Sequence, residues 1–241
     1  MKLASDAGHR VVLVVATGGE EGEYPEGFIL HPDELKSVRR QELEESAAIL
    51  GVAQIHMLGY RDSGMMGTAA NEDDRCFFKS EVDIAAEKLA SILREEQADV
   101  LTIYDENGGY GHPDHIMVNR VGKKAAEIAD VPNVFEATMN RDRFMELMKT
   151  EMSEMQERAV TEDQLDFNPD SLGMPASAIN TEIDVASVIR AKRAALAKHQ
   201  SQSMGTAFVS DMSDRLFQLA FGVESFIGRG PGGKITRRSI F

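Results

Sequence analysis

Apolar residues along this chain switch between two rhythms, and the switching predicts the architecture. Residues 11–17 (V-V-L-V-V-A-T) form a continuous run rich in β-branched side chains, read as a buried strand entering the loop G-G-E-E-G-E at 18–23. Residues 35–50 carry apolar positions at helical spacing and stop at Gly51, a natural C-cap. A second strand is expected over 53–58, followed by the loop 59–64. Residues 81–96 have the pattern of a strongly amphipathic helix, and 99–104 that of a short buried strand. A helix over 116–129 and a strand over 133–138 come next. Residues 141–158 form a charged, Met-rich helical stretch, 161–180 read as a polar loop or flap, and 185–199 and 211–221 as two more helices.

Strand–helix alternation of this kind implies a mostly parallel sheet with right-handed crossovers. The expected fold is therefore α/β, a Rossmann-like sheet flanked by helices, in a single domain over 1–241. Neither an internal repeat nor a dividing linker interrupts the pattern. From Gly228 the sequence G-R-G-P-G-G-K predicts a mobile tail over 228–241.

Composition narrows the partners. A chain of 241 residues is long enough for one sizeable α/β core. Its formal net charge of −14 disfavours nucleic acid and anionic membrane surfaces. Cys76 stands alone, so an internal disulfide framework is excluded and a reducing compartment fits. No apolar run reaches membrane-spanning length, and residues 1–10 lack the order of a signal peptide. A cytoplasmic protein acting on a small molecule is the expectation, with its oligomeric state open.

The densest chemistry lies at 107–115, N-G-G-Y-G-H-P-D-H, between the strand at 99–104 and the helix that follows. Three glycines in five positions allow a tight loop, and Pro113 suits a first helical position. His112 and His115, three apart, share a helix face or bracket its first turn. A neutral imidazole binds metal, and the same ring serves as a general acid or base near neutral pH. Asp114 can orient one histidine through its second N–H, and Tyr110 can donate to a developing oxyanion. The plain alternative is a polar helix cap with solvated histidines and Asp114 favoured by the helix dipole. Glycine loop, strand edge and clustered reactive groups together favour function, because open α/β sheets place ligands at that edge.

Four segments in this order resemble the LmbE-like, or PIG-L, family of zinc-dependent N-deacetylases, and within it the mycothiol-pathway deacetylases. They are G-G-E-E-G-E (18–23), Arg39 with Glu42, Leu43, Leu50 and Gly51, R-D-S-G-M (61–65), and N-G-G-Y-G-H-P-D-H (107–115). A-A-L-A-K-H-Q-S-Q (194–202) is also similar to the family's C-terminal helix. The resemblance implies removal of an N-acetyl group from an N-acetylglucosaminyl, inositol-linked substrate. It implies His115 as a zinc ligand, and His112 as the group that polarises the amide carbonyl and stabilises the tetrahedral intermediate. Asp114 would orient His112, Tyr110 would help bind the oxyanion, and Arg39, Asp62 and Met65 would contact the sugar or inositol.

The family also opens with a strand ending in A-H-P-D-D-E, which supplies two further metal ligands and the general base. That motif does not occur among these residues, and residues 2–10 resemble the helix and turn that follow it. The resemblance therefore places it upstream of Met1 and implies impaired activity for residues 1–241 alone. An interior strand would be missing beside residues 11–16, leaving unpaired backbone there. His31-Pro-Asp-Glu34 imitates the motif, but no apolar strand leads into it and its residues are ordinary helix starters. His9 reads as a turn residue and His56 as a packed or edge residue. His199 either approaches the site or caps its helix. Glu20 and Glu21 line a pocket or solvate a loop, with equal support. Two alternatives to the deacetylase remain, an amidase of the same family acting on a mycothiol S-conjugate and a non-catalytic sugar-binding protein. A dinucleotide reader is disfavoured, since no G-x-G-x-x-G follows the first strand.

Overall fold

The computed structural model describes residues 1–28, 34–155, 172–202, 209, 212–230 and 233–234. A short helix α1 (Lys2–Asp6) precedes strand β1 (Val12–Thr17), helix α2 (Leu35–Leu50) and strand β2 (Gln54–Tyr60). Helix α3 (Val82–Glu95), strand β3 (Val100–Tyr104), helix α4 (Pro113–Ile128) and strand β4 (Asn133–Thr138) continue the alternation. After α5 (Arg141–Met155) come β5 (Thr181–Asp184), α6 (Ile189–Leu196), α7 (Asp214–Phe221), β6 (Val223–Gly230) and β7 (Gly233–Lys234). None of the described helices is long and apolar enough to cross a membrane.

Strands β1 and β2 pair in parallel, as do β3 and β4. They nevertheless belong to two sheets: β1-β2, and a second with the order β3-β4-β6-β5. Among the described residues, β1 and β3 each keep one edge without a strand partner. One hydrophobic core still spans both sheets. Ala16 and Leu58 from the first meet Leu89 and Leu93 of α3 and Met117, Val121 and Ala125 of α4, with Leu101 and Val134 of the second sheet packed against them. Gly122 lets α4 press onto β3, because a Cβ there would meet Ile103 Cγ2 at 2.5 Å. Successive residues of β4 serve opposite faces. Val134 joins the large core, and Phe135 joins a smaller cluster with Ile183, Val185 and Phe226, on which Leu3 also packs.

The parallel elements fall where the pattern places them within a residue or two, except that α4 begins three residues earlier, at Pro113. The second half departs from it. Strand β6 runs antiparallel to both β4 and β5, so the sheet is mixed rather than mostly parallel. Gly228–Gly230 complete β6, and Gly233–Lys234 pair with it, so these residues of the expected mobile tail are strand. Asn180 explains part of this: its side chain accepts from Gly228 N at 2.7 Å and donates to Gly228 O at 3.1 Å, imitating a neighbouring strand. The expected helix over 185–199 narrows to Ile189–Leu196 behind a 3-10 turn at Ala186–Val188. His31 to Asp33 and most of the expected flap lie outside the described residues.

Candidate functional site

Strands β1, β2 and β3 deliver their following loops to one edge, and the β3 loop is the most tightly wired. Asp105, fully buried, accepts the N–H groups of Asn107 and Gly109 at Oδ1, both at 2.9 Å. Its Oδ2 accepts the Thr138 hydroxyl at 2.5 Å. This carboxylate bends the chain into a single turn over Gly108–Gly111. Gly108 has φ of 64°, and a Cβ on it would meet His115 Cβ at 2.7 Å and Ile116 N at 2.8 Å. Only glycine fits that approach.

The turn fixes two imidazoles in opposite senses. His115 Nδ1 lies 3.1 Å from Gly108 O, a partner that can only accept, so Nδ1 carries the proton and Nε2 keeps its lone pair. The Tyr104 ring stacks on His115 with centroids 3.9 Å apart and planes 6° from parallel. Burial pushes the His115 pKa down to about 4, against the pull of the Gly108 bond. His112 instead caps α4: its Nδ1 accepts the Asp114 N–H at 3.2 Å, which leaves the proton of the neutral ring on Nε2. The two ring centroids are 5.1 Å apart. Tyr110 stands edge-on to His115 at 5.1 Å, half-exposed. Burial, with the nearby charges of Asp62 and Asp114, raises its pKa, which keeps the phenol a hydrogen-bond donor.

The Asp114 carboxylate does not make the expected orienting bond to His112. It turns to the β2 loop, where Ser63 Oγ donates to Oδ1 and Ser63 N donates to Oδ2 at 3.3 Å. What reaches His112 is the Asp114 backbone N–H. Burial raises the Asp114 pKa, with the Asp62 charge adding and Ser63 opposing. Asp62, buried beside Ser63, accepts Gly64 N at 2.8 Å and Glu21 N at 3.4 Å. Glu20 accepts Asp62 N at 3.3 Å, and Glu21 pairs with Arg61 at 2.6 Å, so both acids tie the β1 loop to the β2 loop.

Arg39 reaches this edge from α2. Its guanidinium donates to Gly19 O, to Glu23 O at 2.9 Å and to Ser201 Oγ at 3.3 Å, and burial lowers its pKa. Glu42 fixes the same Ser201 through its N–H at 2.7 Å and its hydroxyl at 2.6 Å. The β1 loop thus links Arg39 to Asp62, and Ser63, next to Asp62, links the β2 loop to Asp114. Met65 lies on the β2 loop with its side chain half-exposed. His199 lies near Glu42 and Arg39, whose charges act on it, and it lines an apolar cavity of about 370 Å³ that α1, α6 and α7 also line. His56 bonds Glu96 at 2.9 Å in a part-buried pair. Sequence reading gave no role to Tyr104 or Ser63. Ser63 was visible within R-D-S-G-M, but its partner lies 51 residues away.

Residues 1–126 match the model of the family described as PIG-L: GlcNAc-PI de-N-acetylase. A 1D-myo-inositol 2-acetamido-2-deoxy-alpha-D-glucopyranoside deacetylase of Thermomonospora curvata is 36% identical over 96% of this chain and 84% of its own length. The protein of the same name from Acidothermus cellulolyticus is 39% identical over 91% of this chain and 79% of its own. Among solved structures, the N,N'-diacetylchitobiose deacetylase of Pyrococcus horikoshii superposes with a TM-score of 0.57 at 22% identity, covering 95% of this chain and 76% of that one. The 4-carboxy-2-hydroxymuconate hydratase of Pseudomonas putida gives 0.56 at 16%, covering 99% and 90%. At such identities the likeness shows the fold alone, and the fold hosts more than one chemistry. The match over the first half of the chain and the near-full-length relatives settle the family: this chain belongs to the PIG-L family of N-deacetylases.

Proposed function

We propose that this protein's site serves hydrolysis of the acetamide of an N-acetylglucosaminyl group linked to inositol, with zinc, a reaction that residues 1–241 alone do not complete. The observation that carries the reading is the imidazole pair, with an Nε2 lone pair on His115 and an Nε2–H on His112. His115 fits a metal ligand, because a backbone carbonyl holds its other nitrogen as ligating histidines require. A zinc ion supplies activated water and a polarised carbonyl when it has about three protein ligands. Among the described residues no group of three or more His, Cys, Asp or Glu side chains could hold a metal. These residues therefore do not complete a zinc site.

The chain's own groups supply the rest. His112 Nε2–H donates to the amide oxygen as it gains charge, and the Tyr110 phenol donates to the same oxyanion. Arg39, Asp62 and Met65 are the residues we assign to the sugar and inositol. In the overall reaction the amide C–N bond breaks, the acetyl carbon takes the oxygen of water, and the amine nitrogen takes a proton.

The test compares residues 1–241 with the same chain joined to a strand ending in A-H-P-D-D-E ahead of Met1. Free amine is measured on the inositol-linked substrate, with and without a chelator. Residues 1–241 alone, whose described residues hold no complete set of metal ligands, are expected to release a negligible amount, and the extended form to show chelator-sensitive hydrolysis. In the extended form His112→Ala should lower kcat by about 10²- to 10³-fold, with little change in KM. Equal hydrolysis by both lengths would overturn the division of roles, and hydrolysis untouched by chelator would overturn the metal.

A further inference from the structure

Ser63 is fully buried, and every polar atom it has is engaged. Its carbonyl accepts Asn71 Nδ2 at 2.5 Å, and its Oγ accepts Phe78 N at 2.9 Å. A hydroxyl has one proton. Because Phe78 occupies Oγ as a donor, that proton is free to go to Asp114 Oδ1, while Ser63 N donates to Oδ2. Both Asp114 oxygens are thereby held towards the β2 loop. The only Asp114 group left for His112 Nδ1 is the backbone N–H, which demands a lone pair on Nδ1.

We propose that Ser63 is a positioning residue that selects the tautomer of His112: by holding the Asp114 carboxylate away from the ring, it keeps the imidazole proton on Nε2. Released from Ser63, the carboxylate can rotate and accept from Nδ1–H. The proton would then leave Nε2, and His112 would offer the cleft a lone pair where a donor is needed. Ser63, next to Asp62, thus acts on the reaction without touching substrate. The consequence for catalysis rests on His112 facing the substrate carbonyl; the tautomer itself does not.

The experiment uses the chain 1–241 with 15N-labelled histidine, reading the two ring nitrogens of His112 by NMR at a pH where the ring is neutral. The wild type should show the Nε2–H form. Ser63→Ala should lower the ratio of Nε2–H to Nδ1–H by about tenfold or more, the worth of one hydrogen bond to a charged group. Ser63→Thr, which retains the hydroxyl, should keep the wild-type ratio. The double variant Ser63→Ala/Asp114→Ala should return it, since the swap needs the carboxylate. An unchanged ratio in folded Ser63→Ala overturns the proposal. So does a folded Ser63→Thr that behaves like alanine, or a shift that persists in the double variant. If alanine does not fold, Ser63→Cys, a weaker donor, carries the same prediction at smaller amplitude, and an unchanged ratio there overturns it. None of these readings depends on substrate, so failure of the assigned reaction and failure of this proposal are told apart.

Discussion

Strands β1 and β4 are both six residues long with a parallel partner, and the more apolar of the two is the less buried. β1 reads V-L-V-V-A-T and buries only Ala16, which still keeps 8% of its surface exposed. β4 reads N-V-F-E-A-T and buries Phe135 and even the carboxylate of Glu136 completely. The difference lies in neighbours. β4 is flanked by β3 and β6, whereas among the described residues β1 pairs only with β2. A strand's burial is set by what covers its edges and faces, and its own hydrophobicity states only what it could bury.

Backbone exchange gives the sharpest test of that contrast. In a strand paired along one edge, alternate N–H groups face the open side. Amide hydrogen exchange should find about half of the amides in Val12–Thr17 protected at least a hundredfold less than those of Asn133–Thr138. Uniform, equal protection in the two strands would mean that the open edge of β1 is covered in solution.

Side-chain truncation should follow the same order. Phe135→Ala removes a fully buried ring from between Ile183, Val185 and Phe226, and should cost about 3–5 kcal/mol in chemical denaturation. Val14→Ala, at a half-buried position against the large core, should cost about 1 kcal/mol. Comparable losses would show that β1 is packed as well as β4.

The same contrast explains what could be read from the chain. Helices α2 and α4 and the four parallel strands announce themselves through local periodicity, and the histidine pair is legible because its parts are contiguous. β5 and β6 are not legible in that way. V-E-S-F-I-G-R-G has two glycines and mixed polarity, and it becomes a strand because β4, β5 and the Asn180 side chain supply partners far away in sequence. The site divides likewise. His112 and His115 could be nominated from spacing, but the turning of Asp114 towards Ser63 depends on two loops meeting.

Glu136 tests whether the well-covered strand also depends on its one charge. Its carboxylate meets Arg229 Nε at 2.6 Å, Lys123 Nζ at 3.1 Å and Asn119 Nδ2 at 3.2 Å. Removing one partner of a fully buried pair costs several kcal/mol, but Arg229 and Lys123 reach solvent and can rehydrate. Glu136→Gln should therefore cost about 2–3 kcal/mol in the same measurement. A loss below about 0.5 kcal/mol would mark the cluster as a surface-type interaction.

Acid should reverse the ranking of the two regions at modest cost. His115, beside β3, has its pKa lowered to about 4 by burial, against about 6.5 for an unfolded histidine. Between those values the unfolded chain binds more protons than the folded one, so stability is complete above about pH 6.5 and is lost as pH falls towards 4. Burial lowers the His199 pKa too, and it adds in the same direction. With allowance for solvent at the site, His115 should account for about 1–2 kcal/mol. On the β1–β2 side the relevant group is Glu96, which clips Arg10 to His56. Its pKa is lowered by the Arg10 and His56 hydrogen bonds, so its contribution persists above the ordinary carboxylate range and is lost only as pH falls through the depressed value. Denaturation midpoints taken from pH 7 to pH 3 should therefore fall first by a histidine step, which His115→Gln diminishes, and only later by a carboxylate step, which Glu96→Gln diminishes. A single transition below pH 4, unchanged by His115→Gln, would show that the imidazole stacked on Tyr104 is not held neutral by the fold.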